Sequence, residues 1–305
     1  MERLSRIYRY EQACEFLPGR LKRLALALPD KQKERTEEFR LRVMHPMTVL
    51  TSEGELNAAP NAIDSLVTAE DLEQMLGAVT EYSRYACIET LRQGFLPLRG
   101  GFRLGVCGSA VVREGEVSNL KEISSLSLRI VCEEVGLGSG IAPQLFDESG
   151  QFLSTLILSP PGGGKTTLLR DLIRQLSDRF GWRICVVDER LELAACASGV
   201  PQFRLGAHTD VLSGAPKAAG IELLLRTMNP EWIAVDEITA EADIAAIRRA
   251  SYCGVRFLAT AHAADRRELE SRPLYRALLQ DGFFRMAAFL LPDRSVRIER
   301  GLDHA

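Results

Sequence analysis

The sequence contains little that points to a membrane, a disulfide scaffold or a zinc site. No stretch of the 305 residues approaches the roughly 18–20 consecutive apolar residues that span a bilayer, and the N-terminus lacks the apolar core of a secretion signal. The seven cysteines form no C-x-x-C pair and are accompanied by only four histidines, so reduced, mostly buried thiols are expected. We therefore expect a cytoplasmic protein with no transmembrane segment of its own.

The sequence also lacks an excess of basic charge and has few aromatic residues. The chain has 38 Lys and Arg against 41 Asp and Glu, a formal net charge of −3, and 7% aromatic residues. A nucleic-acid groove combines a basic field with aromatic rings on which bases stack. No nucleic-acid partner is expected for this reason. The length is sufficient for about two domains, each with its own core.

The first part of the chain, residues 1–135, is interpreted as a small α+β domain. Leucines recur at helical spacing from Leu17 to Leu28, and the charged run over residues 31–38 is interpreted as a solvated connection. Residues 39–43 and 47–51 predict paired strands, and Thr68 with Asp71 predicts a capped helix start. Glycine-rich strands follow. Three glycines between Gly136 and Gly140 indicate a linker over residues 136–150.

The remaining part, residues 151–305, has a different pattern. Short apolar runs at 155–158, 184–187, 232–235 and 255–259 alternate with helical patterns. Continuous apolar runs are typical of strands buried on both faces, and the alternation predicts βαβ units with a mainly parallel sheet. The segments 287–291 and 295–300 predict a closing hairpin. The fold class is therefore α/β, preceded by the smaller α+β domain.

A phosphate-binding loop follows the first of these strands. The pattern G-x-x-x-x-G-K-[ST] is met except at its first position, where a serine stands in place of glycine. The glycines let backbone N–H groups turn toward an anion, Lys165 can reach the β- and γ-phosphates, and the Thr166 hydroxyl can bind Mg²⁺. The helix that follows points its N-terminus at the phosphates. The predicted nucleotide-binding residues here are Ser159, Pro160, Pro161, Gly162, Gly163, Gly164, Lys165, Thr166 and Thr167.

An apolar strand ends in two adjacent carboxylates, Asp236 and Glu237. Hydrolysis of a bound nucleotide needs one acidic group to hold the metal's water shell and another to polarise the attacking water. We assign the metal role to Asp236 and the role of general base to Glu237. Their place at the carboxyl end of a strand is where ligands bind in open α/β sheets.

Two further strand ends carry polar residues. Asp188 and Glu189 follow the preceding strand, with Glu192 three residues on, and His262 ends the strand at 255–259. Beside a phosphate loop, we expect Asp188 and Glu189 to contribute to nucleotide binding and Glu192 to take part in catalysis. His262 is a candidate sensor of the γ-phosphate, although a lone histidine at a strand end is more often structural.

These residues together resemble a known superfamily. The segments 188–192, 235–238 and 260–262 look like the Asp box, the Walker B motif and the His box of the secretion ATPases of type II, type IV and type IV-pilus systems. Within it, the chain resembles the stage III sporulation protein AA family of endospore-forming bacteria. The segments that carry this resemblance are 81–86, 91–95, 123–126, 159–171, 187–190, 200–202 and 272–273.

The resemblance implies a RecA-like P-loop domain that hydrolyses ATP with Mg²⁺ and forms a hexameric ring. Nucleotide would lie between the N-terminal and ATPase domains, and arginines would complete the site, with Arg84, Arg99, Arg103 and Arg129 as candidates. It also implies a motor that acts on membrane proteins of a secretion-type channel between mother cell and forespore. The protein would then lie peripheral to the membrane at that complex.

Some alternatives stay open at this stage. Secretion ATPases usually have Gly-Glu where this chain has Asp236-Glu237, so the principal base is either Glu237 or Glu192. Thr239 stands where those enzymes commonly have an arginine, whose role therefore does not carry over. The alternative functions are a nucleic-acid-linked P-loop ATPase and a nucleotide-gated scaffold with little turnover.

Overall fold

The computed structural model describes residues 2–58, 66–80, 94–131 and 133–302. The chain divides into two compact units, Met1–Cys132 (unit 1) and Glu133–Ala305 (unit 2). The segments at 81–86 and 91–93, including Arg84, lie outside the described residues. Among the helices that the structure describes, none is both long and apolar enough to cross a bilayer.

Unit 1 packs helices against an antiparallel sheet with strand order β3-β2-β1-β6-β5-β4. Thr68 and Asp71 form the predicted capping box, because each side chain accepts the other residue's backbone N–H. The paired strands predicted from residue 39 are also present as β1 and β2. The elements are α1 Glu2–Cys14, α2 Gly19–Leu26, α3 Asp30–Arg35, β1 Thr36–Arg42, β2 Thr48–Thr51, β3 Gly54–Asn57, α4 Ala69–Val79, β4 Phe95–Pro97, β5 Arg103–Arg113 and β6 Glu116–Arg129.

The charged run over residues 31–38 is not the solvated connection that the sequence predicted. It forms α3 and the start of β1. Pro29 precedes the helix, Asp30 lies in its first turn, and Lys33 and Arg35 lie in its last turn. Acidic residues at the start of a helix and basic residues at its end stabilise the helix, because they interact favourably with its dipole. Lys33 is buried, with its ammonium 3.8 Å from the carboxylate of Asp30.

Unit 2 is built on a seven-stranded sheet with the order β13-β12-β7-β11-β10-β8-β9. Six strands are parallel, and β13 pairs antiparallel with β12 as the predicted closing hairpin. The elements are β7 Thr155–Ser159, α5 Lys165–Phe180, β8 Ile184–Asp188, β9 Thr209–Ser213, α6 Lys217–Thr227, β10 Trp232–Val235, α7 Glu241–Tyr252, β11 Arg256–His262, α8 Arg266–Ser271, α9 Pro273–Gln280, β12 Met286–Leu290 and β13 Val296–Arg300. The predicted α/β class with a mainly parallel sheet is confirmed.

The central strands of this sheet are buried on both faces. Along β10, Ile233 and Val235 pack into one hydrophobic cluster, while Trp232 and Ala234 pack into another. Successive side chains of a strand point to opposite faces, so both faces are covered by apolar residues. This arrangement explains why these strands appear in the sequence as continuous apolar runs.

Residues 136–150 differ from the predicted linker, because they are part of unit 2. Ile141 and Leu145 are buried in one of its hydrophobic clusters, and a 3₁₀ turn covers Ala142–Leu145. The Gly138 N–H donates to Asp171 Oδ2 of α5 at 2.7 Å. Gly138, one of the three glycines that suggested a linker, instead allows a close approach, since a Cβ there would lie 2.8 Å from Leu172.

Candidate functional site

The sheet brings the four predicted strand ends to one edge of unit 2. Its order places β7, β11, β10 and β8 side by side, although they are not consecutive in the chain. The register pairs Ser159 of β7 with His262 of β11, and Val235 of β10 lies between Ala259 and Val187. The phosphate loop, the histidine, the acidic pair and the second acidic cluster therefore follow neighbouring strands.

The phosphate loop has the backbone that its glycines predict. Gly162 and Gly164 have φ of 74° and 92°, a region that L side chains rarely adopt. Gly164 caps α5, so the N-terminus of this helix opens toward the loop. Ser159, the departure from the common pattern, is buried at the end of β7. Its hydroxyl donates to the carbonyl oxygen of Pro160 at 2.9 Å.

Lys165 is buried beneath this loop and makes three close contacts. Its Nζ donates to the carbonyl oxygens of Ser159 at 3.0 Å and Pro160 at 3.1 Å, and lies 3.0 Å from Nδ1 of His262. Burial lowers the pKa of Lys165, while the negative charges of Glu237 and Asp236 act in the opposite direction. The lysine thus links the loop to His262 at the end of β11.

His262 connects Lys165 to Glu237. An ammonium group can only donate, so Nδ1 of His262 accepts and its Nε2–H donates to Glu237 Oε1 at 3.0 Å. The second oxygen of Glu237 accepts from Arg190 Nη1 at 2.6 Å. The Glu237 backbone has a φ of 49°, and its N–H donates to Thr260 Oγ1 at 2.8 Å. Strained backbone of this kind is typical of active sites, where surrounding contacts fix it.

Asp236 is held by two hydroxyl groups. Thr166 Oγ1 donates to one carboxylate oxygen at 2.8 Å, and Thr260 Oγ1 donates to the other at 2.5 Å. Burial raises the pKa of Asp236, and the nearby negative charges of Glu237 and Glu192 raise it further. A cation beside this carboxylate would offset both the cost of burying its charge and the repulsion from the neighbouring carboxylates.

The donors at this point fit Mg²⁺. The Thr166 hydroxyl and the Asp236 carboxylate supply adjacent oxygen ligands, and Mg²⁺ usually takes one or two protein oxygens with water and phosphate oxygens. Throughout the described part of the chain, no group of three or more His, Cys, Asp or Glu side chains is arranged to hold a metal. A site completed by phosphate oxygens does not require such a group.

Asp188 and Glu189, at the end of β8, both contact other residues of unit 2. The Asp188 carboxylate accepts the backbone N–H groups of Glu192 at 2.8 Å, Leu193 at 3.0 Å and Ala194 at 2.8 Å. Glu189 pairs with the buried ammonium of Lys217. Asp188 is buried and a buried carboxylate needs such partners, so its contacts shape the loop after β8. Nucleotide binding by Asp188 and Glu189 stays a prediction.

Glu192 is fixed at the edge of the site by this loop. Buried Arg170 of α5 donates to the carbonyl oxygens of Glu192 at 2.7 Å and Leu193 at 2.8 Å, and its guanidinium stacks on Phe203 at 4.1 Å. The loop is therefore held by Asp188 through its N–H groups and by Arg170 through its carbonyls. Burial is the main cause of the raised pKa of Asp236, and the negative charge of Glu192 adds to it after that of Glu237.

Sequence reasoning missed three residues of the site. Thr260 joins Asp236 to the backbone of Glu237, Arg190 holds Glu237, and Arg170 holds the loop of Glu192. Thr260 had a signal, because it lies two residues before His262 on the same face of β11. Arg190 and Arg170 lie within segments that carry the family resemblance, but their partners are determined by the order of the strands in the sheet and not by spacing along the sequence.

Of the arginines proposed in unit 1, Arg103 stacks on the Phe95 ring at 3.7 Å within its own unit. Arg99 and Arg129 stay predictions, and Arg84 lies outside the described residues. Within unit 2, the positions predicted for the phosphate loop, the acidic pair and His262 are brought together.

Comparison with known proteins agrees with this architecture. The family model described as "Sporulation stage III, protein AA" matches residues 7–297. The chain belongs to this family. A similar relative is stage III sporulation protein AA of Bacillus subtilis (strain 168), 34% identical over 277 residues that cover 90% of this chain and 88% of the relative. The resemblance to the sporulation stage III protein AA family inferred from the motifs is confirmed.

Solved structures of other proteins share the fold of this chain. The Legionella pneumophila ATPase DotB superposes with a TM-score of 0.55 and 17% identity, covering 87% of this chain and 76% of that one. The pilus retraction motor PilT with bound ADP gives 0.54 and 16%, covering 86% and 77%. Likeness at this level of identity establishes the fold. The predicted fold class, a RecA-like P-loop domain preceded by a smaller α+β domain, is therefore confirmed.

Proposed function

We propose that this chain is a Mg²⁺-dependent ATPase that works as the motor of a secretion-type channel complex during endospore formation. One observation carries the chemical part of this proposal. Lys165, His262 and Glu237 form a continuous chain of contacts, and Thr166 and Asp236 lie together beside it. A phosphate grip, a metal-binding pair and a carboxylate that can orient water thus meet at one edge of the sheet.

Each residue has a role that follows from its contacts. Lys165 and the N–H groups of the loop would bind the β- and γ-phosphates. Thr166 and Asp236 would hold Mg²⁺, which supplies charge neutralisation on the phosphate oxygens when bound. His262 contacts both Lys165 and Glu237, so it would transmit the presence or loss of the γ-phosphate from Lys165 to the Glu237 carboxylate. Thr260 keeps Asp236 and Glu237 in a fixed relation to each other.

Glu237 is the preferred general base. It adjoins Asp236, and three separate contacts fix its carboxylate and backbone, from His262, Arg190 and Thr260. Its carboxylate oxygens each keep a second lone pair with which to accept a water proton. Glu192 is the second candidate, because its charge acts on Asp236 and its backbone is held from both sides.

The physiological part of the proposal rests on the family and the fold. The family is named for sporulation stage III, and the solved structures of the same fold are called an ATPase and a pilus retraction motor. We infer a homo-hexamer whose partners are membrane proteins of a channel between mother cell and forespore, with the protein peripheral to the membrane. ATP hydrolysis would then drive domain movement against that channel.

The first test compares single variants in an ATPase assay. Lys165→Ala should abolish hydrolysis and nucleotide binding, because the buried ammonium neutralises the phosphates. Glu237→Gln should still bind ATP but lower kcat by about 10²–10⁴-fold, the usual contribution of a general base. Lys121→Ala, at an exposed lysine of unit 1, is the matched control.

The results separate the possible errors. Unchanged hydrolysis in Lys165→Ala would refute the phosphate-loop assignment. A large loss of kcat in Glu192→Gln, with Glu237→Gln close to the parent protein, would transfer the base to Glu192. If the parent protein binds ATP without turnover, a nucleotide-gated scaffold would be favoured. If DNA stimulates its turnover, a nucleic-acid-linked ATPase would be favoured.

The second test concerns assembly. The ATPase rate per subunit is measured against protein concentration while the mass is followed by light scattering. A ring motor predicts that the rate per subunit rises as hexamers form. A constant rate per subunit from a protein that stays monomeric would contradict the ring.

A further inference from the structure

A small cavity lies beside the phosphate loop in unit 2, apart from the catalytic contacts. It measures about 160 Å³. Its apolar wall is formed by Leu137, Ile141, Leu290 and Val296, which come from the segment before β7 and from the closing hairpin. Its floor is the stretch 162–164 of the loop, with Thr167 and Leu168 of α5. The floor belongs to the predicted phosphate loop, whereas the residues of the apolar wall have no role in the chemistry proposed above.

The size of the cavity restricts what it could hold. A water molecule takes about 30 Å³ of liquid volume, so the space is several times larger than one water needs. Pockets that bury whole drug-sized ligands measure about 300–1,000 Å³. The cavity therefore fits one compact group of a larger ligand, with the remainder bound outside it. Its apolar wall favours a flat, weakly hydrated ring system.

The position of the cavity selects which part of a ligand enters. It borders Gly162, Gly163 and Gly164 directly, and a Cβ at Gly164 would lie 3.5 Å from Leu290 of the cavity wall. Lys165 and Asp236, which would take the phosphates and the metal, make none of its lining. A nucleotide gripped by this loop can place its base in the cavity while the phosphates reach Lys165.

One ion pair lies at the edge of the cavity. Arg294 Nη1 is 3.5 Å from Glu134 Oε2, and both residues line the space. The guanidinium only donates hydrogen bonds and the carboxylate only accepts them. Arg294 has a φ of 66° in the turn between β12 and β13, where its N–H donates to the Leu291 carbonyl at 2.9 Å. The turn therefore presents an arginine in a strained conformation beside the cavity.

We propose that this cavity binds the purine base of the nucleoside triphosphate and that the Arg294–Glu134 pair reads the polar edge of the base. Each purine presents both a donor and an acceptor on one edge, which matches a carboxylate beside a guanidinium. The apolar wall covers the ring faces. This inference rests on the proposed nucleotide function and adds a base subsite to the phosphate grip.

The test separates the base from the phosphates by using two ligands. Binding of ATP and of inorganic tripolyphosphate, both with Mg²⁺, is measured by calorimetry on the full chain, with GTP and CTP in parallel. Tripolyphosphate presents the phosphate loop with its ligand but has no base. ATP should bind at least about tenfold more tightly than tripolyphosphate and CTP, because small changes of apolar fit alter discrimination about 10–200-fold.

A variant that fills the cavity gives the second measurement. Leu137→Trp should weaken ATP binding at least about tenfold and leave tripolyphosphate binding unchanged. Leu223→Trp is the matched control, since Leu223 on α6 is 41% exposed and Leu137 is 40% exposed. Retained tripolyphosphate binding shows that the phosphate loop of the variant is folded. Glu134→Gln, which adds an N–H donor at the edge, should change the ratio of ATP to GTP affinity.

Three outcomes would overturn the subsite. In the first, the parent protein binds ATP, CTP and tripolyphosphate equally well. In the second, Leu137→Trp weakens tripolyphosphate as much as ATP, which would mean that this wall supports the phosphate loop. In the third, Leu137→Trp leaves ATP binding unchanged. If the parent protein binds neither ATP nor tripolyphosphate, the proposed nucleotide function itself fails and the subsite fails with it.

Discussion

Ser159 and Gly163 are packed so closely that a methyl group at Gly163 would collide with the serine. A Cβ built there lies 2.3 Å from Ser159 Oγ, 2.9 Å from Ser159 Cβ and 3.2 Å from the Pro160 carbonyl oxygen. Gly163 does not need a positive φ, unlike Gly162 and Gly164, so space alone excludes a side chain. The serine at the first position of the loop therefore requires the glycine four residues later.

This packing predicts a graded rescue. Gly163→Ala should destabilise unit 2 by about 1–3 kcal/mol, the usual cost of overpacking by a methyl group. For a domain of this size, 1 kcal/mol lowers Tm by about 2–4 °C, so the expected loss is about 2–12 °C. In the Gly163→Ala background, Ser159→Ala removes the contact at 2.3 Å and should restore part of the lost stability. Ser159→Gly should restore most of it, because only the 3.2 Å contact with the Pro160 carbonyl oxygen then remains.

Tryptophan fluorescence is the assay for the stability of unit 2. Both tryptophans of the chain, Trp182 and Trp232, lie in unit 2, so tryptophan fluorescence follows the unfolding of that unit. Gly140→Ala is the control, since nothing lies within 4 Å of its Cβ position. A double-mutant cycle in which Ser159→Gly and Gly163→Ala are additive would refute the reasoning, because residues in contact should show coupling.

Three other predictions follow from single contacts. Burial raises the pKa of Asp236, so its ionised form destabilises the folded protein as the pH rises through its folded-state pKa. Asp236→Asn should therefore raise Tm at pH 8. Melting curves measured across pH should show this gain disappearing below about pH 4, where the carboxyl group is protonated in both states. Arg190→Ala should lower kcat up to about 100-fold with KM little changed, because Glu237 loses one of its fixing contacts; an equal rise in KM would contradict this role. Burial raises the pKa of Cys14 to about 12, so iodoacetamide at pH 8 should modify exposed Cys253 and leave Cys14 intact in native protein, as mass spectrometry can check.

Much of the fold could be predicted because it depends on local patterns. Apolar runs, the Thr68–Asp71 capping box and the strand–loop–helix around Lys165 each lie within one short contiguous stretch of sequence. The helix over Asp30–Arg35 was missed because it is stabilised by its termini and by the burial of Lys33, which apolar periodicity does not register. The segment after Gly136 was misread for a similar reason, since Gly138 serves close packing on α5.

The sequence by itself determined the phosphate loop, the acidic strand end at Asp236 and the family, because each is written in contiguous residues. Only the tertiary structure decided the partners. Lys165 and His262 are 97 residues apart, and Glu237 is 47 residues from Arg190. Their contacts depend on the order of β7, β11, β10 and β8 in the sheet. Local hydrophobic periodicity marks a strand as buried but carries no information on which strand lies beside it, so these pairings arise only when the sheet forms.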